Sequence, residues 1–285
     1  DKGAVIAKAN KLVGTRIYLD FPSVGATENL LMAAALADGE TLIENAAREP
    51  EIDNLVRALR KMGAVIEGEG TGILRIKGKK ELNPASITII PDRIEAATYL
   101  LAGVITHGDV AIRGVIPEHL NALLAKLDEA GIEVINNGNV LRVLNPGRPN
   151  GITLKTMPYP GFSTDLQPQM MALLSLADGT SIIHETIFEA RFLHASELQK
   201  MGAQIELQGN TAIVHGQENL IGAEVYATDL RGGAALVLAG LAAEGETIIY
   251  NVEHLKRGYE NMVEKLTLIG AQIDERAAEV TKEDI

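Results

Sequence analysis

Four glycines, at positions 39, 108, 179 and 245, each end an apolar stretch, and they recur at spacings of 69, 71 and 66 residues. A second set, at 63, 131, 202 and 270, follows the first at offsets of 23 to 25 residues. Regularity of this kind marks an internal repeat, and an internal repeat limits the fold before any single residue is considered. Glycine after an apolar helical run is a helix stop, because it takes the left-handed conformation without a Cβ penalty.

Within the first repeat the grammar is legible. Gly14–Asp20 alternates Ile17 and Leu19 as a strand does. An apolar helix over about 25–37 follows, closed by Asp38-Gly39. The β-rich run Glu40–Asn45 leads to a helix starting near Pro50, a residue favoured in a first turn. Leu55, Leu59 and Met62 give that helix one apolar stripe. A hairpin through Gly68–Gly72 and a strand Ile73–Gly78 complete a β-α-β-α-β-β unit. The units span about 14–78, 85–144, 151–215 and 222–275, and residues 1–10 read as the tail of an earlier one.

The first helices are apolar nearly all round (Leu30–Leu36, Leu100–Ile105, Leu236–Leu241) and are expected inside; the second helices are amphipathic and belong outside. The fold class is therefore α/β, with small sheets around buried helices. Pro146–Gly151 is the most linker-like break, and Ile90–Arg93 is a second boundary candidate.

Composition narrows the function. A net charge of −12 opposes nucleic acid and anionic membrane as partners. Cysteine is absent, which removes thiolate metal sites and a thiol nucleophile from these residues and fits a cytoplasmic protein. No Gly-rich dinucleotide fingerprint, Walker loop or His-Glu-x-x-His motif is present, so nothing calls for a nucleotide cofactor or a metal.

Several residues could carry chemistry. Asp165 opens a helix, where it reads as an N-cap or as a carboxylate able to accept a proton from a hydroxyl. Asp92 and Asp229 stand at equivalent places and favour the cap, whereas the longer lead-in Pro158–Thr164 favours function. Ser23-Val-Gly-Ala-Thr opens another helix, as a cap or as a cradle for a polar ligand. His254, Lys256 and Arg257 form a basic loop suited to phosphate or carboxylate, unless they are simply solvated. Glu185–His194 gathers two of the four phenylalanines with Arg191 and His194, as a ligand wall or as a cover for the core.

Seven ordered motifs carry a resemblance: Ser23-Val-Gly-Ala-Thr, Glu44–Ile52, Pro91–Glu95, Thr164-Asp-Leu-Gln, Glu185–Phe192, Ala227–Arg231 and Arg257-Gly-Tyr-Glu. Together they resemble the UDP-N-acetylglucosamine 1-carboxyvinyltransferases, enolpyruvyl transferases of early peptidoglycan synthesis, over essentially the whole chain. The resemblance implies inside-out α/β barrel domains of repeated units, the enolpyruvyl transferase fold, with the active site in the cleft between two domains. Residues 1–90 would be the remainder of the first domain and 91–285 a nearly complete second domain.

It also implies UDP-N-acetylglucosamine and phosphoenolpyruvate as substrates, no cofactor, and a cytoplasmic location. Asp165 matches the carboxylate at the sugar 3-hydroxyl, Arg231 and Arg257 match cations at the phosphoenolpyruvate site, and Asp229 matches a carboxylate near the intermediate. Pro22, Ser23, Val24 and Gly25 match the stretch that contacts the nucleotide sugar, and Ile187 a backbone contact to it. Phe21 stands where some members carry Lys. The family's N-terminal portion, with its proton-donating loop and further phosphoenolpyruvate ligands, has no match here. The expectation is a truncated chain, inactive alone, with apolar helix faces that self-associate or await the absent segment. The alternative is a non-catalytic fragment or paralogue that binds nucleotide sugar or a partner chain; a different member of the fold fits the motifs least well.

Overall fold

The computed structural model describes residues 6–189 and 191–276. The chain divides into two compact units, Asp1–Pro91 with Met157–Gly161, and Asp92–Thr156 with Phe162–Ile285.

The first unit follows the order β1 (Arg16–Tyr18), α1 (Val24–Ala35), β2 (Glu40–Glu44), α2 (Pro50–Lys61), β3 (Val65–Glu67) and β4 (Ile73–Lys77). Its sheet runs β1-β2-β4-β3, with β1 parallel to β2 and the other pairs antiparallel. Alternation turns Ile43, Ile66, Leu74 and Ile76 inward against Leu31, Ala35, Ile52, Val56 and Leu59. The buried stripe of α2 is thus Ile52, Val56 and Leu59, while Leu55 and Met62, expected in it, are only partly buried at its margin. The helix α1 departs further from the buried place its apolar pattern suggests, and agrees with the exposed apolar helix face expected from the resemblance. It buries Thr27, Leu31, Ala34 and Ala35 but exposes Met32 (48%) and Leu36 just past its end (52%). One sheet offers one face to pack on, so an all-apolar helix has nowhere in this unit to hide its second face.

The second unit holds the other repeats. The first of them has α3 (Arg93–Ile105), β5 (Asp109–Arg113), α4 (Asn121–Glu129), β6 (Ile135–Asn136) and β7 (Val140–Leu144) in a three-stranded sheet, β5-β7-β6. The strand expected at about 85–90 does not form. Pro84 and Pro91 flank that segment, and Asn54 Nδ2 and Lys61 Nζ of α2 donate to the Thr88 and Ser86 carbonyls, so it is held along α2 instead.

The next repeat is whole: β8 (Thr153–Lys155), α5 (Gln167–Leu174), β9 (Thr180–His184), α6 (Leu193–Lys200), β10 (Gln204–Gln208) and β11 (Thr211–His215), in the sheet β10-β11-β9-β8. The last has β12 (Glu224–Tyr226), α7 (Leu230–Ala242), β13 (Ile248–Tyr250) and α8 (Met262–Leu268). Its closing hairpin is absent from residues 271–276, and the rest of that segment lies outside the described residues. At the N-terminus no strand forms over 6–10, and residues 1–5 lie outside the description.

Helices α3, α5 and α7 are buried along most of their length, and inward residues of the small sheets (Val110, Leu141, Leu154, Ile183, Val214, Val225) join the same core. The glycine code is nearly literal. Gly63, Gly131, Gly202 and Gly270 all take positive φ, as do Gly39, Gly179 and Gly245. The exception is the second repeat, where His107 takes the left-handed position (φ 52°) in place of Gly108, with its Nδ1 2.7 Å from the Pro146 carbonyl. Pro146–Gly151 is not a linker: it lies inside the second unit. Arg148 ties it down by donating to the carbonyls of Leu176, Ala177 and Gln217 at 2.7 to 2.9 Å.

Among the described residues no helix is long and apolar enough to cross a membrane. Leu236→Ala in the enclosed α7 is expected to cost about 2–5 kcal/mol, whereas Met32→Ser on the open face of α1 should stay within about 0.5 kcal/mol. Urea unfolding of the two variants checks both.

Candidate active site

Three repeats of the second unit open their buried helices with an aspartate, but the three do different work. Asp92 caps α3 by accepting from the N–H groups of Ile94 and Glu95 at 2.7 and 3.1 Å. Asp229 caps α7 by accepting from Arg231 and Gly232 at 2.8 and 2.9 Å. In the third repeat the cap is Ser163, whose Oγ accepts from Asp165 N at 3.2 Å, and a 3₁₀ turn over Thr164–Leu166 precedes α5. Asp165 therefore sits inside the first turn and is not the cap that its repeat position suggested. Its carboxylate is left free for partners other than the helix backbone.

Those partners are two arginines. Arg191 Nη2 lies 2.9 Å from Asp165 Oδ1, and Arg231 Nη2 lies 3.3 Å from Oδ2. The Asp165 side chain keeps 37% exposure while both guanidiniums are largely buried. Each arginine is fixed from behind. Arg191 Nη1 donates to Thr164 Oγ1 at 2.8 Å, and its guanidinium stands 5.0 Å from the Phe188 ring centre. Arg231 Nη1 donates to Tyr259 OH at 3.2 Å, and that hydroxyl also meets Thr98 Oγ1 (3.0 Å) and Gln169 Nε2 (3.3 Å). Burial works against the Arg231 charge, but the Tyr259 oxygen and the Asp165 and Asp92 carboxylates outweigh it and hold its pKa above the ordinary guanidinium value.

Asp229 reads as a cap, yet it faces the same neighbourhood. Burial pushes its carboxyl up; the N–H groups of Gly232 and Arg231, the Thr228 hydroxyl and the Arg191 charge more than offset this and hold it below the usual range. Gly232 allows α7 to approach closely here, since a Cβ would fall 2.6 Å from Thr228 Oγ1 and 3.3 Å from His194 Cβ. Arg257 is not brought into this cluster: it is exposed at the end of a 3₁₀ segment, Val252–Arg257. Of the basic loop His254, Lys256 and Arg257, Lys256 is paired with Glu275 at 2.5 Å.

Ser23 caps α1, accepting from Ala26 N at 3.3 Å. Pro22 and Val24 are half-buried, and Gly25 is exposed with open space around it; all four belong to the first unit. Ile187 is half-buried, and its N–H donates to Glu185 at 2.8 Å. Phe192 joins the core, whereas Phe188 is 55% exposed, so the aromatic loop is half cover and half wall. Reasoning from the sequence put Arg191 in a possible ligand wall and Tyr259 in a motif of the resemblance without joining either to Asp165, and it did not single out Thr98 or Gln169. Arg191 stood in a quoted motif, but its pairing with a residue 26 positions earlier has no local signature.

Repeated α/β units thus surround enclosed apolar helices, and a carboxylate is held by two arginines at the start of one of them. The profile of the family described as EPSP synthase (3-phosphoshikimate 1-carboxyvinyltransferase) matches residues 2–266, and the chain belongs to that family. Among individual proteins it is similar to UDP-N-acetylglucosamine 1-carboxyvinyltransferase 1 of Caldanaerobacter subterraneus subsp. tengcongensis, at 55% identity over 271 residues, 95% of this chain and 65% of that protein. The UDP-N-acetylglucosamine 1-carboxyvinyltransferase of Geotalea uraniireducens gives the same identity and coverage. This chain thus spans about 65% of the length of the curated relatives it matches. The solved enolpyruvyl transferase NikO from Streptomyces tendae superposes with a TM-score of 0.86 at 30% identity, over 93% of this chain and 66% of that one. EPSP synthase from Acinetobacter baumannii, at TM-score 0.73 and 19% identity over 93% of this chain and 64% of that one, shares the fold.

His194 gives this region a pH signature. It is 1% exposed, its Nε2 has no hydrogen-bond partner among the described residues, and burial lowers its pKa to about 4, with Arg191 also lowering it and Asp229 opposing. A folded-state pKa below the unfolded value means that the unfolded chain takes up the proton first. Stability is therefore full above about pH 6.5 and falls by up to about 3 kcal/mol as pH drops to about 4. Urea midpoints measured against pH should lose this part of the slope in His194→Gln.

Proposed function

We propose that this chain forms the larger part of an enzyme that transfers the enolpyruvyl group of phosphoenolpyruvate to the 3-hydroxyl of UDP-N-acetylglucosamine, the entry step of peptidoglycan synthesis. The observation that carries the reading is Asp165, released from capping and held by Arg191 and Arg231, in a chain 55% identical to transferases of that name. In the reaction the 3-hydroxyl oxygen bonds to C2 of phosphoenolpyruvate and C3 gains a proton. The tetrahedral intermediate then loses phosphate, and a C3 proton leaves to restore the double bond.

Asp165 is suited to take the hydroxyl proton, since it is partly exposed and fixed in orientation by two cations. Arg231 and Arg257 would meet the carboxylate and phosphate, with Arg257 free to reach a ligand from its exposed position. Asp229 would stand near the intermediate while also capping α7. The stretch Pro22–Gly25, which leads through the Ser23 cap into α1, would contact the nucleotide sugar. Ile187 would do so through its carbonyl, because its N–H is taken by Glu185.

We also infer that residues 1–90 are one whole repeat and the end of another from a first domain, and that 91–285 are a second domain. The exposed face of α1 supports this. A chain spanning 65% of its relatives' length is expected to show no turnover by itself, and the reading that it only binds nucleotide sugar rests on the same fact. Phosphate release from phosphoenolpyruvate, dependent on UDP-N-acetylglucosamine, tests the proposal in protein that also contains the N-terminal third of the relatives. Asp165→Asn should lower kcat by about 10²-fold or more. Undiminished turnover in that variant would remove Asp165 from the role of base, and wild-type protein without any turnover would overturn the transferase reading.

A further inference from the structure

We propose that Glu185 is a positioning residue that orients the Asp165–Arg191 pair through the Thr164 hydroxyl. The proposal rests on the reading of Asp165 given above and extends it. Glu185 directly follows β9 and is 1% exposed, although its carboxylate touches no cation among the described interactions. Burying such a group is costly unless its lone pairs are filled. Four donors fill them: Thr156 Oγ1 at 2.8 Å, Thr164 Oγ1 at 2.9 Å, Ile187 N at 2.8 Å and Phe188 N at 3.3 Å.

The geometry makes this more than a satisfied core group. A hydroxyl has one proton, and Thr164 spends it on Glu185 Oε2, so its lone pairs are left to accept from Arg191 Nη1 at 2.8 Å. The other terminal nitrogen of Arg191 reaches Asp165 Oδ1 at 2.9 Å. The same carboxylate holds the backbone of Phe188, whose ring lies 5.0 Å from the Arg191 guanidinium. Two of the three contacts described for the Arg191 guanidinium therefore depend on Glu185, and the third is Asp165 itself; the Gln167 amide holds only the Arg191 backbone, donating to its carbonyl at 3.1 Å.

Glutamine cannot reproduce the pattern. Its Oε1 can serve Thr156 and the two N–H groups, but its NH₂ must then face the Thr164 hydroxyl. That hydroxyl would receive donors from both sides and would have to turn its own proton elsewhere. Turning the amide over would instead set NH₂ against the Ile187 N–H.

Arginine side-chain NMR of Arg191 in the unliganded chain reads the relay without any assay of turnover. In the wild type, and in Thr164→Ser, hindered rotation of the clasped guanidinium should give separate Nη1 and Nη2 signals. In Glu185→Gln and in Thr164→Val the two should collapse to one averaged signal. Thr164→Val tests the relay while leaving the buried carboxylate in place, so it decides the matter if Glu185→Gln does not fold. Separate signals persisting in Thr164→Val, or in a folded Glu185→Gln, would overturn the proposal. Failure of the wild type to bind UDP-N-acetylglucosamine would count against the functional reading and leave this result standing.

Discussion

A carboxylate between two guanidinium groups ties the second unit together at its chemically useful end. Asp165 comes from the turn before α5, Arg191 from the loop before α6, and Arg231 from the first turn of α7. Two cations are strongly attracted to one carboxylate when water is partly excluded, but each of the three is expensive to bury alone. Both arginines have further support, from Thr164 and Phe188 on one side and from Tyr259 on the other. That support lets Asp165 stay partly exposed and still keep one orientation, which is what the proposed role of proton acceptor requires.

The enclosed helices make this arrangement possible. Because α3, α5 and α7 are packed against each other, their first turns converge, and the polar groups there must find partners within the unit. Thr98 of α3, Gln169 of α5 and Tyr259 after α7 do so in a single cluster that ends on Arg231. The polar cluster thus accompanies the apolar packing, and Gly232 lets α7 start close to Thr228 and to His194 of α6, where a Cβ would fall 2.6 Å from Thr228 Oγ1 and 3.3 Å from His194 Cβ.

Much of the fold could be read from the sequence because its punctuation is local. A glycine with positive φ is chosen by the backbone at that residue, and all four second-helix glycines have it. The site was less legible for the opposite reason. Asp92, Asp165 and Asp229 look alike in the repeat, and the difference arises from Ser163 taking the cap and from arginines 26 and 66 residues downstream. Reading Asp165 as a potential base depended on its longer lead-in, and naming its role depended on the resemblance. Arg257 marks the limit from the other side: its role comes from the resemblance alone, and its exposed side chain offers no local signature of it. The apolar pattern alone placed α1 inside, because an apolar helix does not say how many surfaces its neighbours provide; its open face was expected only from the resemblance.

A crystal structure of the protein with UDP-N-acetylglucosamine bound tests the central claim most directly, through the distance from the Asp165 carboxylate to the sugar 3-oxygen. The account predicts a hydrogen bond of about 2.6–3.2 Å with Arg191 still on the other carboxylate oxygen. A bound sugar whose 3-hydroxyl faces away, with Asp165 still closed between both arginines, would contradict it.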